Sequence, residues 1–174
     1  MPKIIENVKE KLLEEARRQV MEQSYSAMTI RSVASACGVG VGTVYNYFSS
    51  KDMLIASFML EDWMRCIEEM EVGATNASEA KDALFVMYKN LRAFIDKYSR
   101  LFVDEGAEKS FSVSASNRHL MLREQLAKPM LVWTKKQERV DPEFLAEFIA
   151  ESMLTWTMSG ANFEPIAATL LQLL

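Results

Sequence analysis

The sequence predicts an all-α fold of about nine helices, with an N-terminal helix–turn–helix segment ahead of a larger helical body. Three observations carry that expectation. Gly and Pro are scarce, six and four in 174 residues, too few for the many turns of a β-sandwich. The strong helix formers Leu, Ala, Met, Glu and Lys are abundant. Apolar residues recur at spacings of three and four through most of the chain, and no run alternates as a strand would.

The elements follow in order. Ile4, Val8, Leu12, Ala16 and Val20 sit four apart, with Ile5 and Leu13 widening the stripe, so the first helix is expected to span about 19 residues. QSYSAM at 23–28 stops it. Thr29 offers a hydroxyl N-cap for a second helix, TIRSVASAC, with Ile30, Val33 and Ala34 inward. Gly38 stands where a helix end needs a left-handed residue. A short third helix fits Val41 to Phe48. Ser49 and Asp52 are spaced as a capping box for a long fourth helix to about Val72. GATNAS at 73–78 reads as a loop. Ala80, Leu84, Met87, Leu91, Phe94, Ile95 and Tyr98 mark a fifth helix, LFVDEGAEK a short sixth, and SFSVSAS a loop. From Asn117 a helix carries Pro129 as an internal kink. Asp141-Pro142 begins the next helix as N-cap and N1, and Gly160-Ala161-Asn162 separates it from the last.

Residues 38–51 read GVGVGTVYNYFSSK. A phosphate-cradling loop would need a preceding strand, and a P-loop would end in GK[ST]; neither is present. A helix–turn–helix fits instead. Val39 can fill the angle between the two helices, Ala34 is small where they cross, and Val44 and Phe48 close the core. Thr43, Tyr45, Asn46 and Tyr47 are left for solvent or a ligand, although Tyr45 and Tyr47 also read as core aromatics.

The stretch TIRSVASACGVGVGTVYNYFSSKDML resembles the N-terminal DNA-binding segment of the TetR family of bacterial transcriptional regulators. The matching positions include Thr29, Val33, Ala34, Gly38, Val39, Gly42, Thr43, Val44, Tyr45, Tyr47, Phe48, Lys51 and Leu54. The resemblance implies a DNA-binding domain over 1–48, an effector-binding and dimerisation domain over 49–174, and a homodimer placing one third helix in each major groove. It implies that Thr29, Tyr47 and Lys51 hold phosphates, that Arg31 reaches a base, and that Thr43, Tyr45 and Asn46 face groove edges or the adjoining backbone. Val41 can pack on a thymine methyl beside the bare Gly42. Arg31 reads equally as a surface residue. The chain departs from the family at Gly40 and Val41, which cannot hydrogen-bond to bases, and at Ser32, where an acidic residue often completes a capping box. Specificity would then lean on Arg31 and Asn46 or on DNA shape.

Beyond residue 51, twelve methionines in the whole chain and many aromatics read first as core, and with the family resemblance as a pocket for a small effector. The lining set is Met59, Trp63, Cys66, Met87, Tyr88, Leu122, Leu126 and Trp133, with Arg92 and His119 as sparse polar groups. Such a lining suits a lipophilic or aromatic inducer. Arg92 reads as readily as a solvated helix-face charge. Phe144, Phe148, Ser152 and Trp156 on one helix, with Ile166 and Leu170 on the next, exceed one subunit's needs and are expected to form a two-fold interface.

Net charge is −4, yet residues 1–51 carry seven Lys/Arg against five Asp/Glu, compatible with an anionic partner at that end. Cys37 and Cys66 form no paired framework, so free thiols are expected. The N-terminus lacks a signal-peptide core, and no apolar run approaches the roughly 18 residues of a membrane span. A cytoplasmic protein is expected, with double-stranded DNA and a small molecule as partners and no membrane. His119 has no companion at ligand spacing, and no catalytic constellation stands out, so neither metal, cofactor nor enzymatic activity is expected. The functional expectation is a ligand-responsive repressor. Its rival is a helical small-molecule-binding or scaffold protein whose DNA-binding motif is degenerate.

Overall fold

A computed structural model describes residues 7–102, 115–137 and 141–174, and every regular element among them is helical. In order these are α1 (Val8–Glu22), α2 (Ile30–Ala36), α3 (Val41–Tyr47), α4 (Lys51–Asn76) and α5 (Ala80–Phe102). Then come α6 (Ala115–Ala127), a 3₁₀ turn (Lys128–Met130), α7 (Leu131–Thr134), α8 (Pro142–Met158) and α9 (Phe163–Leu170). The all-α architecture is as expected, with a helix–turn–helix followed by a helical body. Ile4 and Ile5, and the short helix and loop expected after Phe102, lie wholly or mostly outside the described residues.

These residues gather into two compact units. One holds 7–62 and 98–102, the other 63–97, 115–137 and 141–174. The core of the first is built from α1 (Leu12, Leu13, Ala16), from Met28, Val33 and Val44 around the helix–turn–helix, and from Leu54, Ile55 and Phe58 of α4. The second unit's core joins Met70, Leu84, Met87, Leu126, Met130, Ile149 and Met153. Each of these side chains is almost wholly withdrawn from water, and those larger than Ala16 contribute roughly 1.5–3 kcal/mol apiece.

Local chemistry sets the ends of the elements. α2 opens with a full capping box: Thr29 Oγ1 accepts from the Ser32 N–H at 3.0 Å, and Ser32 Oγ accepts from the Thr29 N–H at 3.1 Å. Serine therefore completes the box itself, and the departure noted at Ser32 costs the helix no cap. α2 ends in a Schellman turn. Gly38 has φ +68°, its N–H reaches Ser35 O, and the Val39 N–H reaches Ala34 O. Gly160 closes α8 in the same way, with φ +84° and bonds from Gly160 to Thr157 O and from Ala161 to Trp156 O. Asp141 caps α8 by accepting from the Phe144 N–H at 2.7 Å.

Three boundaries differ from expectation. α4 starts at Lys51, so its cap is Ser50, whose Oγ accepts from the Met53 N–H at 3.1 Å; the Ser49–Asp52 box does not form. α4 also runs four residues past Val72, because Gly73 lies against α5. A Cβ there would stand 2.5 Å from Val86 Cγ1, so the missing side chain admits the neighbour rather than ending the helix. Pro129 does more than bend a helix. It inserts a 3₁₀ turn that separates α6 from the single turn of α7.

Candidate nucleic-acid interface and helical body

The helix–turn–helix presents α3 by burying only one side of it. Val44 and Phe48 are buried, while Tyr45 and Tyr47 are 53% and 49% exposed. The core reading therefore fails for both, and for Tyr47 the reason is simple: Phe48, next in sequence, takes the inward position, and Tyr47 meets its ring at a tilt from the exposed side. Asn46, Val41 and Gly42 are exposed and Thr43 is half-buried. A Cβ built at Gly42 would meet nothing within 4 Å. Its bare backbone thus faces open space, and packing does not explain the glycine.

An open groove of about 460 Å³ runs between the start of α2 and the exposed side of α3. Thr29, Arg31, Val41, Tyr45 and Lys51 line it, with Met28 and Ile30 supplying apolar wall. Five of the nine expected DNA-facing residues thus meet on one surface; Gly42, Thr43, Asn46 and Tyr47 sit elsewhere on α3. Tyr25, which the sequence reading passed over as part of a turn, organises the groove's edge. Its ring lies under the Lys51 ammonium at 4.1 Å, its carbonyl accepts from Lys51 Nζ, and its hydroxyl donates to Asp52 at 2.5 Å. An aromatic closing a turn one helix away carries no periodic signal, which is why it escaped notice.

Behind the groove, α1 is polar where a plain amphipathic helix would be apolar. Gln19 is buried, and its Oε1 accepts from Ser32 Oγ at 2.6 Å while its Nε2 donates to Glu15. Glu15 also accepts from Arg18, and that bond is the main reason its carboxyl lies below the usual range. The cap of α2, and with it Thr29, is thereby wired to α1.

The residues expected around an effector separate. Trp63, Cys66, Met87 and Leu126 are buried in the second unit's core, with Tyr88, Leu122 and Trp133 packed against it. Trp63 Nε1 donates to Gln125 Oε1 at 2.5 Å and meets Phe94 edge-on, and Trp133 Nε1 donates to Ala74 O at 2.9 Å. Tyr88 donates to Ala161 O at 3.0 Å. Arg92 pairs with Asp96 one turn along its own helix, and exposed His119 faces both oxygens of Glu151 at 2.9 Å; neither belongs to the core cluster. Met59 lies in the first unit. Burial pushes the Cys66 thiol up to about 12.

α8 buries Leu145, Ile149 and Met153 and turns Phe144, Phe148 and Trp156 outward, with Ser152 half-buried between them. Phe144 and Trp156 are 65% and 56% exposed. Ile166 and Leu170 instead face their own unit's core, so α9 offers neither to an outside surface. Among the described residues no group of three or more His, Cys, Asp or Glu could hold a metal, and no helix is long and apolar enough to cross a membrane.

Comparison with known proteins fits this geometry. Residues 12–58 match the family of bacterial regulatory proteins, tetR family. Over 51 residues the chain is 43% identical to HTH-type transcriptional regulators of Mycobacterium bovis and Mycobacterium tuberculosis. That stretch is 29% of this chain, which spans about a quarter (24%) of the length of those relatives. Similar folds extend over nearly the whole chain. A transcriptional regulator from Cytophaga hutchinsonii aligns with a TM-score of 0.66 at 17% identity, over 94% of this chain and 96% of that one. The fatty acid degradation regulator FadR from Bacillus halodurans gives 0.61 at 16%, over 98% and 96%. The TetR family repressor AlkX from Dietzia sp., implicated in biodegradation of n-alkanes, gives 0.60 at 19%, over 94% and 95%. Residues 12–58 thus match the TetR family in sequence, and over nearly its whole length the chain is similar to TetR-family and other transcriptional regulators in fold.

Proposed function

We propose that this protein is a cytoplasmic, ligand-responsive transcriptional repressor that binds a pseudo-palindromic operator as a homodimer. Residues 1–48 would form the DNA-binding head and 49–174 the effector-binding and dimerisation body. The observation that carries the reading is the exposed side of α3. Val41, Tyr45, Asn46 and Tyr47 are held outward by a Schellman turn on one flank and by buried Val44 and Phe48 behind. A soluble head has no packing use for two half-exposed tyrosines beside a bare glycine, whereas a duplex does. Thr29, Tyr47 and Lys51 would meet phosphates, Arg31 and Asn46 base edges, and Val41 a thymine methyl, with Gly42, Thr43 and Tyr45 lining the approach.

The outward face of α8, Phe144, Phe148, Ser152 and Trp156, is the surface we assign to the second copy, in keeping with the isologous contacts of two-fold dimers. The inducer we assign to the second unit is lipophilic. Apolar side chains gather around Trp63, Met87, Leu126 and Trp133, with few polar groups among them, such as Trp63 Nε1, Gln125 and the buried Thr134 and Thr157 hydroxyls. The named activities of two structural neighbours, fatty acid degradation and n-alkane biodegradation, involve compounds of that chemistry.

One observation favours a second reading. Gly40 and Val41 put no hydrogen-bonding side chain at the start of α3, as a degenerate motif on a small-molecule-binding protein would. Selection of bound fragments from a genomic DNA library decides between the two. A shared inverted repeat supports the repressor; recovery of no sequence above background, with the protein folded, supports the degenerate motif.

A further inference from the structure

α4 and α5 contribute residues to both compact units, and they pass from one to the other at Asp62 and Tyr98. Those two residues are bonded to each other: Tyr98 Oη donates to Asp62 Oδ2 at 2.5 Å. Asp62 is 8% exposed and Tyr98 fully buried, so an acid and a phenol have been placed at core positions. Arg17 of α1 completes the group. Its Nη2 lies 3.2 Å from Asp62 Oδ1 and 3.4 Å from Glu61, donates to Phe58 O at 3.5 Å, and its guanidinium stands 5.5 Å over the Phe58 ring. That ring in turn stacks on Tyr98 at 6.5 Å. Burial first, and the Asp62 bond second, hold the Tyr98 phenol well above its ordinary pKa, so it remains a donor at any physiological pH.

Two residues along α1 from Arg17, Gln19 accepts from Ser32, and Ser32 closes the capping box with Thr29. One helix therefore links the crossing point of α4 and α5 to the cap of α2. Buried polar groups of this kind add little net stability over a well-packed apolar set, but they are directional and admit one register.

We propose that Arg17, Asp62 and Tyr98 form a positioning clasp that fixes α1, and through Gln19 and Ser32 the Thr29 cap, at the point where α4 and α5 run on into the second unit. These are positioning residues, none of them placed against DNA or effector, and their role in regulation rests on the repressor reading above. The clasp would make the state of α4 and α5 felt at the α2 cap.

The test uses the full chain with Tyr98→Phe and Asp62→Asn, each keeping the ring or side-chain size. Hydrogen exchange by mass spectrometry should rise about 3- to 30-fold over residues 12–36 while the α8 stretch 142–158 stays as in the wild type. Affinity for a fragment selected by the wild type should fall by a similar factor, measured where all variants are fully folded. An equal rise in both stretches would reduce the group to ordinary core packing and overturn the proposal. So would unchanged exchange over 12–36, or faster exchange with unaltered DNA affinity. If the wild type selects no DNA, the repressor reading fails, and exchange alone still judges the clasp.

Discussion

Lys51 begins α4, where its ammonium donates to the Tyr25 carbonyl and covers the Tyr25 ring. A cation at a helix N-terminus opposes the dipole, so a nearby phosphate would supply what the helix lacks. Two roles are then possible, a brace for the Tyr25 turn and a phosphate contact, and salt separates them. The groove offers Arg31 and Lys51, hence four cations in the proposed dimer. If Lys51 neutralises a phosphate and Arg31, reaching its base past the backbone, displaces one condensed counterion as well, log affinity should fall with log salt at a slope of about −3.6, roughly a 150-fold loss between about 50 and 200 mM. Lys51→Ala removes half of these contacts. The slope should drop to about −1.8, leaving a loss of about 12-fold over the same range. Fluorescence anisotropy of a labelled operator duplex across a KCl series reads both numbers directly. Weaker binding at every salt with the slope unmoved would refute the phosphate contact and leave Lys51 as the brace alone.

Other outcomes follow from the second unit. Gly73→Ala should gain about 1 kcal/mol of helix propensity yet lose about 1–3 kcal/mol to the Val86 clash, for no net gain. In a Val86→Ala background the same change should raise Tm by about 2–4 °C, and a rise of that size in the wild-type background would contradict the close approach. Phe148→Glu with Trp156→Glu should leave the helical circular dichroism intact and convert a dimer to monomer in sedimentation. A dimer surviving both charges would remove α8 as the interface. Cys66, with its thiol pushed up to about 12, should resist Ellman's reagent at pH 8 until the protein unfolds, whereas half-buried Cys37 reacts in the native state. Equal native rates would show that the packing around Cys66 opens.

The head was legible because its determinants are local. Thr29, Gly38, Val39, Val44 and Phe48 lie within 20 residues, and each acts on backbone or side chains a turn or two away. Asp141-Pro142 and Gly160 were legible for the same reason. What failed depended on distant partners. Gly73 reads as a stop until Val86 is known to stand against it, and Ser50 rather than Ser49 caps α4 because the helix begins one residue later. In the body, spacing told which residues turn inward on a helix but not how deeply. Ile166 and Leu170 look like surplus apolar surface beside Leu174, yet they fill their own core, while Phe144 and Trp156 do not. Arg92 and His119 could not be told from pocket anchors until Asp96 and Glu151 were seen beside them.

Asp62 carries the one signal that was present and unread. It lies four residues after Phe58 and four before Cys66, both buried, so it occupies a core position of α4 while bearing a charge. A carboxylate there is tolerable only with donors already in place, and the sequence held them at Arg17 and Tyr98, 45 and 36 residues away. An apolar residue would fill the same space at lower electrostatic cost, but it would accept any nearby arrangement of α1 and α5. The charge accepts only the arrangement in which a guanidinium and a phenol both point at it. The repressor we propose, whose head would hold one orientation until an effector binds, has a use for that selectivity, and a chain needing only a stable core does not. The acid on the apolar stripe is thus better explained by orientation than by stability.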